Sequence, residues 1–205
     1  MILNVAEKPS VAKAISDHLC KFKEGPKKLD SLSKYNPVFQ FKSKLADKYF
    51  SSMIVTSVCG HIKEYRFPKK CRDWKNTDMK MLFKVPLEKY VVEKQMDIVR
   101  NIQKYAAHAD VLILWLDCDR EGEAIAFDVI DLVKQVKPNI MVKRAHFSAL
   151  TKQDINQACT KKLTDPDQNL ADAVFARQEI DLRIGASFTR LQSINFKAAL
   201  GIPGT

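Results

Sequence analysis

No apolar run in this 205-residue chain approaches the roughly 20 residues that span a bilayer, so no membrane is expected. The opening MILNVAEKPS reaches Glu7 and Lys8 after only a few apolar residues, so it is not expected to be a secretory signal. There are few cysteines. Cys20, Cys59, Cys71, Cys118 and Cys159 are odd in number and scattered, and no two form a CxxC pair. A zinc ribbon and a disulfide framework are both unsupported, and a reducing, intracellular compartment fits. Repeats and low-complexity tracts are also missing. What is present is a globular composition, 46% apolar and 28% charged, with length for one domain or one domain and part of another. Acidic residues number 24 against 34 Lys and Arg, a net charge of +10. A polyanionic partner, chiefly nucleic acid, would account for that excess through counterion release.

Hydrophobic patterning alternates strand and helix. Residues 1–6 read as a short buried strand, and Pro9 then opens a helix with Val11, Ala12, Ile15 and Leu19 on its apolar stripe. Residues 21–37 read as a loop. Val38–Leu45 alternates like a strand, with Val38, Phe39, Phe41 and Leu45 inward and Lys42 and Lys44 outward; Tyr49–Val58 is the next strand candidate. Residues 60–90 show no clear period. Gln95–Ala109 reads as a helix with Met96, Val99, Ile102 and Ala106 on one face. VLILWL at 111–116 is apolar throughout, as a central parallel strand covered on both faces should be. A helix at about 123–134, a strand at about 140–147 and helices at about 152–161 and 169–196 come next. The pattern predicts an α/β fold, a Rossmann-like parallel sheet with flanking helices followed by a helical segment. A soft boundary near residue 150 divides 1–150 from 151–205. The ending GlyIleProGlyThr suggests a fragment or truncated product, though a frayed tail fits as well.

The most informative stretch is LeuAspCysAspArgGluGlyGlu, 116–123, with carboxylates at Asp117, Asp119, Glu121 and Glu123. Alternate acidic residues are common by chance, but these follow a buried strand and precede a helix. That is the carboxyl end of a parallel strand, where open α/β sheets place their sites. Two carboxylates about 5 Å apart repel by ~3 kcal/mol at an effective dielectric of about 20. Protonation or a divalent cation relieves this, and oxygen donors without His or Cys favour Mg²⁺ or Mn²⁺. A solvated loop at a helix N-terminus is the plainer reading. Cys118 is expected to point away as a core thiol. If the strands at 1–6 and 111–116 are neighbours, Glu7 meets this cluster as a ligand or general acid or base, and Lys8 beside it holds a phosphate. A charged helix start without chemistry remains open for both.

Four stretches in chain order carry a resemblance: AlaGluLysProSerValAlaLysAlaIle (6–15), ThrSerValCysGlyHis (56–61), the acidic run 116–123, and ArgGlnGluIleAspLeuArgIleGlyAlaSerPheThrArg (177–190). Together they resemble type IA DNA topoisomerases of the topoisomerase III kind, in particular the eukaryotic form, and the likeness covers nearly the whole chain. The resemblance implies a Toprim metal-binding domain over 1–150 and, over 151–205, the truncated helical start of the DNA-binding or gate domain. It implies Mg²⁺ held by Glu7, Asp117, Asp119 and Glu121, with Lys8 stabilising charge. It further implies DNA-binding residues that touch or frame the strand at Arg177, Asp181 and Arg190, and at His61 in a Gly-His motif near the site, although a lone histidine is more often structural. Ordinary packing is the plainer account of that helix, since Arg177 and Asp181 have i,i+4 spacing.

The reaction implied is ATP-independent cleavage of one strand by a tyrosine, strand passage and religation, relaxing negative supercoils. Partners implied are single-stranded DNA, a RecQ-type helicase and an OB-fold accessory protein, in the nucleus if the source is eukaryotic. The chain departs from the family in two places. None of Tyr35, Tyr49, Tyr65, Tyr90 and Tyr105 has the nucleophile's Ser-Tyr-Pro-Arg-Thr setting, so this chain alone is not expected to cut DNA. Ala149 stands where the family more often has Glu. Two other functions stay open: a stand-alone Toprim nuclease or primase-like enzyme, and a non-catalytic single-stranded DNA binding module.

Overall fold

A computed structural model describes residues 1–44, 50–74 and 77–199. The chain forms two compact units, 1–62 with 91–173, and 63–90 with 174–205.

The first unit is a seven-stranded sheet. Its strands and helices are β1 (Ile2–Ala6), α1 (Pro9–Leu19), β2 (Lys27–Leu29), β3 (Val38–Lys44) and β4 (Phe50–Ser57). After the second unit's first segment, with β5 (Lys63–Arg66), α2 (Met79–Leu82) and β6 (Glu88–Val91), come α3 (Met96–Ala106), β7 (Val111–Trp115), α4 (Arg120–Lys134), β8 (Met141–Ala145), α5 (Lys152–Thr160), β9 (Leu163–Thr164) and the start of α6 (Gln168–Ala199). Strand order is β2-β3-β4-β1-β7-β8-β9. The central β4, β1, β7 and β8 are parallel, while β2, β3 and β9 are antiparallel additions at the edges. The expected parallel sheet is thus a mixed one.

Alternation along β1 and β7 divides the core. Leu3, Val5, Leu112 and Leu114 pack with α3 and α4 residues such as Ile102, Val129 and Val133 on one face. Ile2, Ala6, Ile113 and Trp115 pack with Ile15 of α1 and Ile155 of α5 on the other. Burial on both faces is why these strands read as unbroken apolar runs. Buried Asn4 is satisfied across three strands. Its amide donates to the Ile54 carbonyl (3.2 Å), and its oxygen accepts from Trp115 Nε1 (2.9 Å).

The second unit gathers β5, a 3-10 turn at Lys69–Cys71, α2, most of β6 and the rest of α6. Phe67, Cys71, Leu82 and Val85 form its small core, with Leu182 and Ala186 packed against them. The aperiodic stretch 60–90 therefore holds structure that its pattern did not announce.

Other expectations change in detail. β2 lies in the stretch read as loop. Met96, expected inward, is 37% exposed, while Ile98 and Asn101 join Val99, Ile102 and Ala106 in the buried face. Cys118, expected in the core, is exposed because the chain has already left the sheet there; its thiol donates to the Phe147 carbonyl. Leu45, Tyr49 and residues 200–205 lie outside the described residues, as does the Lys44 side chain. No helix among the described residues is long and apolar enough to cross a membrane.

Candidate metal and phosphate site

Register brings the candidate residues together. Ala6 pairs with Trp115 in the parallel β1–β7 ladder, so both strands end at the same sheet edge. The next amide, that of Glu7, still donates to the Trp115 carbonyl (3.1 Å). The Glu7 carboxylate then accepts from the Asp117 amide (3.0 Å), joining residues 110 apart in sequence. Lys8 stands over the pair, its Nζ 3.5 Å from Glu7 Oε1 and 3.9 Å from Asp117 Oδ2. Lys8 is extended and Pro9 follows it at the start of α1, so Glu7 and Lys8 sit on the turn rather than inside the helix.

The acidic run is shaped by α4. Asp119 is its N-cap, one oxygen accepting from the Gly122 amide (2.8 Å), which leaves the other for a ligand. Gly122 lies so close to the preceding turn that a Cβ there would stand 2.0 Å from the Asp117 carbonyl oxygen. Only glycine lets the helix start this near the strand end. Beneath, Glu123 and Arg144 form an ion pair at 2.7 Å, with side chains 5% and 0% exposed. Arg144 also donates to the carbonyls of Leu114, Leu116 and Asp117 (3.1, 3.1 and 2.9 Å). One guanidinium thus fixes the backbone that presents Asp117. Its position in β8 and its contacts gave no pattern in the sequence.

Glu121 turns toward His61, Oε2 to Nε2 3.2 Å, and the other ring nitrogen faces the fully buried Asp128, 3.6 Å from its Oδ2. The neighbouring Asp128 and then Glu121 carboxylates raise the His61 pKa above its ordinary 6.5, against the opposing effect of burial.

Among the described residues no three His, Cys, Asp or Glu side chains form a ready-made metal cage. The donor set nevertheless suits a hard cation: Glu7, Asp117, Asp119 and Glu121 offer oxygen alone at one edge. Mg²⁺ keeps several waters and is commonly held by one or two carboxylates and substrate phosphates rather than by a protein cage.

The residues of the last motif lie in the second unit. Arg177 and Asp181 are exposed on α6. Arg190, expected to touch or frame DNA, is buried; its guanidinium donates to the Cys71 carbonyl (2.8 Å) and lies near the Phe67 and Trp74 rings. Arg183 and Glu179 form an i,i+4 ion pair on this helix at 2.6 Å.

A model of the Toprim domain matches residues 2–150. The chain is 45% identical over 204 residues to DNA topoisomerase 3-alpha of Arabidopsis thaliana, covering 100% of this chain and 22% of that protein. It is 40% identical over 196 residues to DNA topoisomerase 3-alpha of Homo sapiens, covering 96% of this chain and 19% of that one. The chain thus spans about a fifth of the length of these curated relatives. Among solved structures, full-length topoisomerase I from Thermotoga maritima matches 90% of this chain and 24% of its own with a TM-score of 0.52, at 23% identity.

Proposed function

This chain belongs to the Toprim domain family, and from that premise we propose that it supplies the cation-binding part of a type IA DNA topoisomerase of the topoisomerase III kind. Residues 1–150 are read as the Toprim portion and 151–205 as the helical start of the next domain. The carrying observation is the Glu7–Asp117 contact with Lys8 above it: two distant strand ends make one oxygen-lined edge beside one cation.

Glu7, Asp117, Asp119 and Glu121 would hold Mg²⁺ or Mn²⁺, which when bound offsets charge on a scissile phosphate and fixes its place. Lys8, 58% exposed at its side chain, is placed to take a phosphate oxygen and to stabilise a departing oxyanion. Glu7, 16% exposed, is bonded to backbone and so keeps its position as ligand or as a proton acceptor. Arg177 and Asp181 are assigned to the single-stranded DNA path.

Cleavage itself needs a tyrosine outside the positions available here. The Tyr90 hydroxyl donates to Glu64 and that of Tyr105 to the Asp30 carbonyl. No ATP is required, because a covalent protein–DNA link stores the broken bond's energy. A RecQ-type helicase, an OB-fold protein and a nuclear setting belong to this same reading.

Titrating Mg²⁺ calorimetrically into the chain with a short single-stranded oligonucleotide tests it. Saturable heat is expected, and Asp119→Asn should weaken it while keeping the helix cap, since Asn caps as well as Asp. Identical titrations for the two proteins would overturn the reading. A second reading is a Toprim nuclease or primase-like enzyme, which would use the same Glu7–Asp117 edge with metal and water alone. Metal-dependent nicking by this chain without a covalent adduct would select it.

A further inference from the structure

We propose that His61, backed by Asp128, is a positioning residue that holds the Glu121 carboxylate at the rim of the cation site. This rests on the cation-site reading above and adds to it two residues acting through a third.

Glu121 and Asp128 are seven residues apart on α4, two turns, and so share one face of the helix. The helical rise separates them by about 10 Å along that face, too far to meet. The His61 ring spans the gap, 3.2 Å from Glu121 Oε2 through Nε2 and 3.6 Å from Asp128 Oδ2 through Nδ1. Carboxylate oxygens only accept, so Nε2 is the donor toward Glu121, while Nδ1 faces Asp128 at a charge-contact rather than a hydrogen-bond distance.

The backbone that carries the ring is held on both sides of His61. Gly60, at φ +71, turns the chain out of β4. The Cys59 carbonyl accepts from Gln95 Nε2 (3.2 Å), the Val58 amide donates to the Ala6 carbonyl (2.8 Å), and buried Ile62 accepts from the Val92 amide (3.1 Å). A histidine so anchored cannot follow Glu121, so Glu121 must settle where the ring directs it.

The chain runs from inside to outside: Asp128 is fully buried, the His61 side chain 27% exposed and that of Glu121 36% exposed. Burying a carboxylate is unfavourable unless a charged or donating group faces it. Packing alone would be served by an apolar residue at 128; a carboxylate there orients an imidazole. Partners of this kind behind a ligand typically change metal affinity about 10–100-fold when removed.

The test is Mn²⁺ affinity by electron paramagnetic resonance, with melting temperature recorded for each protein. His61→Ala should weaken Mn²⁺ binding about 10-fold or more. His61→Gln should recover most of it, because the glutamine amide can still donate to Glu121. In a Glu121→Gln background His61→Ala should change affinity less than about 2-fold, since the residue then has nothing to position. Asp128→Asn should weaken binding alone and add nothing to His61→Ala. The proposal is overturned if His61→Ala leaves affinity unchanged, or weakens it equally with Glu121 already replaced. Wild-type protein that takes up no Mn²⁺ would sink the cation-site reading first, and this inference with it.

Discussion

Replacing Arg144 by Met should unfold the chain at a markedly lower temperature and loosen the strand end that carries Asp117. The guanidinium is fully buried and bonds at once to Glu123 and to three carbonyls, Leu114, Leu116 and Asp117. Met fills similar volume but leaves Glu123 a buried carboxylate without its cation. Among the described residues, Glu123 then keeps the Asp167 amide, 3.1 Å from its other oxygen. Breaking a buried pair by removing one partner costs about 3–5 kcal/mol. In a chain of this size each kcal/mol moves the melting temperature by roughly 2–4 °C, so a fall of about 6–20 °C is expected. Lys at 144 restores charge without the planar reach to all four acceptors and should fall between the two. Urea denaturation and thermal melts followed by circular dichroism give both numbers. A Met variant within about 1 kcal/mol of wild type would refute the argument that this pair organises the edge.

Gly122→Ala offers a test of sign. Helix propensity alone favours Ala by about 1 kcal/mol, but the new Cβ meets the Asp117 carbonyl oxygen at 2.0 Å, and backbone cannot rotate away. A net loss of about 2 kcal/mol or more is expected in denaturant melts; a gain would contradict the close approach. The amides of Ala149 and then Ser148 hold the Asp154 carboxyl below its ordinary 3.8. Its stabilisation is therefore present above that value and lost as pH falls through the lowered pKa. The deficit of Asp154→Asn at neutral pH should shrink as pH falls below 3.8 and vanish once the lowered pKa is passed, as read from urea melts across pH. Under native conditions iodoacetamide should modify Cys59 and Cys118, which are exposed, and spare Cys159, whose thiol burial pushes up to about 12; peptide mass mapping distinguishes them.

Much of this arrangement was legible from pattern because it rests on local signals. VLILW and ILNVA are buried on both faces and read as central strands. Asp119 to Glu123 directly follow such a strand, so their place at a sheet edge followed. The pairing of β1 with β7, which joins Glu7 to Asp117, needed only that the two strands be neighbours. Other features depend on contacts that leave no period. Arg144 lies in a strand whose sequence, MVKRA, shows nothing of its four acceptors. Asp128 looks like an ordinary polar position on an amphipathic helix, yet it is fully buried behind His61. Elements β5, α2 and β6 are each only four residues long, too short for periodicity to register. On α6 the long helix was readable, but not which face is covered. Ile180, Ile184, Phe188 and Phe196 are all exposed, whereas Arg190 is buried.

The central claim is that the ends of β1 and β7 form one cation site, and paramagnetic broadening by Mn²⁺ tests it most directly. Substoichiometric Mn²⁺ added to ¹⁵N-labelled protein should broaden the amide signals of Glu7 and Lys8 together with those of Asp117 to Gly122. Amides beside the exposed Asp110 and Asp165 should stay sharp at the same concentration. Broadening confined to the acidic run, with Glu7 and Lys8 untouched, or spread evenly over the exposed carboxylates, would contradict it.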